Sequence, residues 1–168
     1  MTITQIPENG IKKLSWTFFF ELKDILKKVI DESSYDPSVK RFADQLTVNT
    51  GFDFKSKINR ISTYIDSHFS FNRDPETREY VTLPKKYIKM LEKGQIISGD
   101  CDDVVVLLCS LYKSIGLNTF MVFISPLEDP PYTHVMCAVL CPCGDVIIVD
   151  LVNKEKMISI GKTLAVKV

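Results

Sequence analysis

The sequence contains no long apolar run. None of its 168 residues belongs to a stretch approaching the roughly 18 apolar residues of a membrane-crossing helix, so no membrane is expected as a partner. It also lacks a charge excess. Lys plus Arg number 21 and Asp plus Glu number 21, which leaves no net field to draw the chain to nucleic acid. The basic pairs Lys12-Lys13, Lys27-Lys28 and Lys85-Lys86 fit the wet faces of helices. Met1 to Gly10 carries Glu8 and no basic leader, so it does not read as a secretory signal. The five cysteines are an odd number without a paired CxxC set or regular spacing. That argues against a disulfide scaffold and for a reducing, cytoplasmic setting, with assembly into a particle as the other route. No repeat, low-complexity tract or cofactor motif is present, and no cofactor is expected. The length suits one sizeable core rather than two.

The first half of the chain has helical spacing. Leu14, Phe18, Leu22, Ile25, Leu26, Val29 and Ile30 place one apolar stripe on a helix over 11–32. Asp36-Pro37 breaks it. A short helix follows over 38–47, then another over 56–69 with Ile58, Ile61, Ile65 and Phe69 on one face. Residues 70–83 read as a loop. Pro84 suits the first turn of a helix through Glu92, which Gly94 ends. Residues 100–115 are almost wholly apolar after their first positions. Val104 to Val106 would suit a strand, but the length, Asp100 and Asp103 as cap and third residue, and Gly116 at the stop favour a helix. A helix apolar on nearly all sides is a central, buried one. Beyond Gly116 the period changes to strands: Thr119 to Ile124, Thr133 to Cys141, Val146 to Val152, with Met157 to Ile160 and Leu164 to Val168 as further candidates. Helices first and an antiparallel meander after them give an α+β architecture.

Three residues carry candidate chemistry. Cys101 would open the buried helix, where unpaired N–H groups and the helix dipole favour a thiolate. Asp100, Asp102 and Asp103 oppose this, because nearby carboxylates raise a thiol pKa. A basic partner is therefore needed, and the chain has two histidines. His68, late in a helix, reads as a surface or capping residue. His134 begins a strand directly after the loop Glu128 to Tyr132, a placement common for site residues, although such a histidine is also often structural. Asp150 interrupts the apolar run Val146 to Val152, where a carboxylate is costly unless paired. Orienting an imidazole would pair it; capping a turn at the strand's end is the plainer alternative.

Taken together these segments resemble the transglutaminase-like superfamily of papain-fold proteins. Ser98-Gly99-Asp100-Cys101-Asp102-Asp103, the apolar helix and Ser114-Ile115-Gly116-Leu117 resemble its nucleophile motif, and the strand Asn118 to Ile124 follows as in that family. Thr133-His134-Val135 resembles its histidine motif and Val149-Asp150 its aspartate motif. Ile65 to Phe71, Arg73-Asp74-Pro75 and Glu79-Tyr80-Val81 to Pro84 resemble the lead-in of small bacterial and phage members. The resemblance implies Cys101 as nucleophile, His134 as general base and acid, and Asp150 as orienter. It implies a transglutaminase-like domain over 54–168, with 1–53 as a helical accessory segment. The backbone N–H of Cys101 would supply half of an oxyanion hole; Tyr80 is the candidate for the other half. Many members have a Trp just before the aspartate, where this chain has Ile147 and Ile148. The implied activity is attack on an amide or peptide carbonyl of a protein or peptide substrate, with water or an amine as acceptor. The alternative is an idle binding or structural module of the same fold, such as a phage-particle component.

Two further expectations follow. A zinc site could be drawn from Cys137, Cys141, Cys143 and His134, but its spacing argues against it; Cys109 reads as core. The strands carrying His134 and Asp150 should form a hairpin across Pro142-Cys143-Gly144. A two- or four-residue loop would put His134 opposite Asn153 and Asp150 on the other face. A three-residue loop puts His134 opposite Val152 and Asp150 opposite Met136, so both share a face as diagonal neighbours about 7 Å apart at Cβ. Gly144 stands where such a loop needs a left-handed residue.

Overall fold

A computed structural model of the chain describes residues 4–5, 16–73, 80–125, 134–153 and 162–168. After the two-residue strand β1 (Thr4–Gln5) come the helices α1 (Trp16–Ser34), α2 (Pro37–Thr47) and α3 (Phe54–His68). Their starts follow local chemistry. Asp36 accepts from the Ser38 amide at 2.8 Å with Pro37 in the first turn, and Asp53 accepts from the Ser56 amide at 3.0 Å. The strands β2 (Phe69–Phe71) and β3 (Tyr80–Val81) precede α4 (Pro84–Leu91), β4 (Ile97–Gly99) and α5 (Cys101–Ser114). The chain closes with β5 (Asn118–Ser125), β6 (His134–Leu140), β7 (Val146–Val149) and β8 (Lys162–Lys167).

The architecture is α+β, with α5 at its centre. Asp102 to Tyr112 are buried without interruption. The helices α1 to α4 pack around one side of α5, and β5 and β6 pack on the other. Leu26, Ile30, Phe42, Ile58, Ile65 and Ile88 reach the same core as Leu107 and Leu108, so α1 and α2 share the core of the later elements.

The main sheet is antiparallel, in the order β7-β6-β5-β8. The meander expected from the sequence holds for β5, β6 and β7. The last strand instead crosses to the free side of β5, pairing Met121 with Val166. There Leu164 and Val166 pack against the core, and β5 becomes interior with partners on both edges. The segment 70–83, read as a loop, also departs from expectation. It contains the end of β2, which runs parallel to β4, and all of β3, which pairs with β1. These strands have two or three residues, too few to show a period; their pairing partners lie far away in sequence. The expected strand Met157 to Ile160 lies outside the described residues.

The position of α5 predicts an uneven response to truncation. Leu107→Ala, at a site with no solvent exposure, should cost about 2–5 kcal/mol, read from urea unfolding midpoints. Val48→Ala, at a largely exposed site, should stay within about 0.5 kcal/mol of the parent.

Candidate active site

Cys101 is the first residue of α5 and is partly exposed. Asp100 caps the helix, accepting from the Asp102 amide at 3.3 Å, and Asp102 accepts from the Asp103 amide at 2.9 Å. Asp103, expected to complete the cap from the third position, reaches across instead and accepts from the Thr82 amide beside β3 at 2.7 Å. The carboxylate oxygens of Asp100, Asp102 and Asp103 lie within 4.8 Å of one another. Cys101 therefore stands between two opposed influences: a helix N-terminus that favours its thiolate, and three carboxylates that disfavour it.

His134 opens β6, and its Nε2 lies 2.7 Å from Asp150 Oδ2. The hairpin explains the pairing. Cys137 stands opposite Val149 and Ala138 opposite Ile148. The Cys141 amide donates to Asp145 O at 2.8 Å across a three-residue loop in which Gly144 has φ +92°. This is the register that turn chemistry favours, and it puts His134 and Asp150 on one face. Asp150 follows the last residue of β7, and its two oxygens do different work. Oδ1 accepts from the Val152 and Asn153 amides at 3.0 and 3.1 Å, capping the turn, while Oδ2 holds the imidazole. One carboxylate thus caps the turn and pairs with the imidazole at once. Burial alone would raise the Asp150 carboxyl. The His134 hydrogen bond and the two amides outweigh burial and hold it below its ordinary value.

Topology relates this pair to Cys101. Cys109 Sγ lies 3.3 Å from Cys137 Sγ, which fixes the level of α5 against β6. From there Cys101 is eight residues back along the helix, about 12 Å. His134 is three residues back along the strand, about 10 Å in the same direction, because β6 pairs His134 with Ile124 at the far end of β5. The helix that opens with Cys101 and the strand that opens with His134 therefore begin at the same end of the sheet. Side-chain alternation adds a constraint. Cys137 faces α5, and His134 shares the opposite parity with Met136.

The other candidates resolve simply. His68 stacks on Tyr64, with ring centroids 4.4 Å apart, and its Nδ1 lies 2.9 Å from the Tyr64 carbonyl; it is a structural residue at the end of α3. Cys109 and Cys137 are wholly buried against each other, and burial, then the neighbouring Cys109, pushes the Cys137 thiol well above its ordinary value. Cys141 is buried and Cys143 exposed at the hairpin tip. The zinc set drawn on the sequence is thereby split, with Cys137 turned to Cys109. Tyr80 is half-buried on β3, two residues before the Thr82 tie to α5. Sequence reading missed Tyr87, whose hydroxyl donates to the Ser98 carbonyl at 2.7 Å, three residues before Cys101. Its signal, one apolar-face position of a short helix, is the same as for any core aromatic.

No family model matches the sequence, and no curated protein matches it. A solved structure does: a "putative protease" from Parabacteroides distasonis, 18% identical, with a TM-score of 0.61. The match covers 86% of this chain and 29% of that one, so this chain spans less than a third of the neighbour's length. At that identity the likeness shows a shared fold.

Asp150 makes a direct prediction for stability. Its folded pKa lies below its unfolded value of about 3.9. Its contribution is therefore fully present above that pH and is lost as pH falls through the folded value. Asp150→Asn keeps an oxygen for the two amides but loses the charged partner of His134. It should destabilise by about 1–3 kcal/mol near neutrality. The gap to the parent should narrow in urea titrations as pH falls below about 3.9 and close once pH is below the folded value.

Proposed function

We propose that this protein performs thiol-dependent acyl transfer or hydrolysis at an amide or peptide carbonyl, as a transglutaminase-like protein of the papain type. The observation that carries the reading is the 2.7 Å contact between His134 Nε2 and Asp150 Oδ2. A carboxylate on Nε2 keeps the proton there and leaves Nδ1 as the basic nitrogen. Nδ1 then takes the Cys101 thiol proton across the end of β6. The sulfur attacks the carbonyl carbon, and the oxyanion is held by the Cys101 backbone N–H, with Tyr80 as the second donor. The C–N bond breaks as His134 returns the proton to the leaving amine, giving a thioester. Water releases the acid, as in a protease or amidase; an amine gives a new amide, as in a transglutaminase.

Three further observations support this reading. Cys101 is partly exposed at a helix N-terminus, while Cys109, Cys137 and Cys141 are buried. Cys101 and His134 begin their elements at the same end of the sheet. A hydrolytic role also agrees with the description of the structural neighbour. The substrate is a protein or peptide, the transglutaminase-like domain spans 54–168, and residues 1–53 form an accessory segment. The setting is a reducing cytoplasm or a phage particle.

One observation favours a second reading, an idle binding or structural module of the same fold. The hairpin register gives His134 the parity of Met136 rather than that of Cys137, the residue facing α5. In that case His134 and Asp150 would only lock the start of the hairpin.

Alkylation by iodoacetamide separates the two. As an enzyme, the protein should lose one thiol equivalent rapidly at neutral pH, at Cys101, with a midpoint well below the ordinary thiol value of about 8.5. His134→Ala should return the midpoint towards that value. Sluggish labelling of Cys101 that His134→Ala leaves unchanged is the outcome for the idle module. Cys101→Ala identifies the labelled peptide.

A further inference from the structure

Beneath Cys101, two buried polar side chains converge on one glycine. Asp103 and Tyr87 are each 3% exposed. A Cβ placed on Gly99 would lie 2.3 Å from Asp103 Oδ2, 2.6 Å from Tyr87 Oη and 2.7 Å from Asp103 Cβ. Such separations are closer than real carbon atoms tolerate, so only glycine fits here. The reason is close approach, not backbone conformation. The two side chains also bind different segments. Asp103 Oδ1 accepts from the Thr82 amide at 2.7 Å, and Tyr87 Oη donates to the Ser98 carbonyl at 2.7 Å. One cluster thus joins β3, α4, β4 and the first turn of α5. Gly99 is two residues before Cys101, and Asp103 two residues after it.

We propose that Asp103 and Tyr87 are positioning residues for the nucleophile, clamping the Gly99-Asp100-Cys101 turn from both sides. The proposal rests on the reading of Cys101 as a thiol nucleophile. The physical case is one of precision. Cys101 occupies the first position of a helix, where the backbone would otherwise fray and where its own N–H is proposed to hold an oxyanion. Hydrogen bonds among buried groups are strong and directional, and a broken one leaves a costly unmatched partner. The clamp therefore leaves the turn one arrangement. A displacement near 1 Å at a reacting group can cost on the order of a hundredfold in rate, so a structure can be stable and still need this cluster for reactivity. The phenol suits the task chemically. Burial, then the Asp103 charge, raises its pKa, and Tyr87 stays a donor throughout the working range.

The charged and titratable groups at the helix start are Asp100, Asp102 and Asp103 on α5 and Tyr80 and Tyr87 on the elements packed against it, while the His134–Asp150 pair begins at the same end of the sheet. The test uses the pH profile of Cys101 alkylation by iodoacetamide, followed by peptide mass spectrometry, beside thermal unfolding of each variant. Tyr87→Phe removes one oxygen and keeps the ring in the core. It should remain folded, react about tenfold or more slowly at the parent's plateau, and show a midpoint moved towards the free thiol value of about 8.5. Asp103→Asn keeps an acceptor for the Thr82 amide and should recover part of the reactivity that Asp103→Ala loses. The proposal is overturned if Tyr87→Phe is folded, with or without a lower melting temperature, and keeps the parent's rate and midpoint. Should Asp103→Ala fail to fold, Tyr87→Phe alone decides. The parent reports separately on the underlying reading: a profile that His134→Ala does not move sinks the nucleophile assignment, whereas a parent sensitive to His134→Ala with an indifferent Tyr87→Phe sinks only the clamp.

Discussion

A helix buried on nearly every side imposes the constraint from which the rest of this fold follows. Each residue of α5 from Asp102 to Tyr112 is out of water, so the chain must supply apolar surface all round it. Four helices do so on one side and the central strands on the other. Burial of apolar surface is the dominant favourable term in folding, and here most of it is organised about a single axis. The same burial creates a problem at the end of that axis. The first amides of a helix have no partner within it, and water cannot freely serve them in an enclosed position. Asp100 and Asp102 accept the nearest ones. Asp103 extends the solution to a neighbouring segment by taking the Thr82 amide. A polar, tightly held helix start beneath a half-exposed thiol is thus a consequence of burying the helix, before any chemistry is considered.

The second constraint is one of parity. In a β-hairpin, one residue more or less in the loop turns a whole strand over. Pro142, Cys143 and Gly144 form a loop of odd length, and Gly144 takes the left-handed conformation that closes it. Asp150 therefore meets His134 across the sheet instead of pointing to its other face. The contact depends on turn chemistry some distance along the hairpin as much as on the two side chains themselves.

Sequence and structure agree best where information is local. Asp36-Pro37, Pro84 and the Asp100 to Gly116 segment marked helix limits that the structure keeps within a residue or two, because caps and glycine stops act over one turn. The hairpin register was also legible, since it rests on a three-residue loop and the alternation of adjacent strands. The short strands β2 and β3 were not. Phe69 to Phe71 becomes a strand because β4, far along the chain, lies beside it, and no local pattern encodes that partner. The same holds for β8. Its apolar alternation showed a strand, but whether it would extend the meander or cross to β5 depended on which edge remained open.

By itself the sequence determined the class of the fold, the identity of its central helix, and a thiol, an imidazole and a carboxylate as the candidate chemistry. These follow from periodicity, capping and residue chemistry, all of which act between near neighbours. Only the tertiary structure decided that His134 and Asp150 are in contact, that Cys109 and Cys137 face each other in the core, and that Asp103 turns from its own helix cap to Thr82. It alone brought Tyr87 over Gly99. Each of these is a meeting between segments whose separation along the chain is large, and such meetings are fixed by how whole elements pack rather than by the residues beside them.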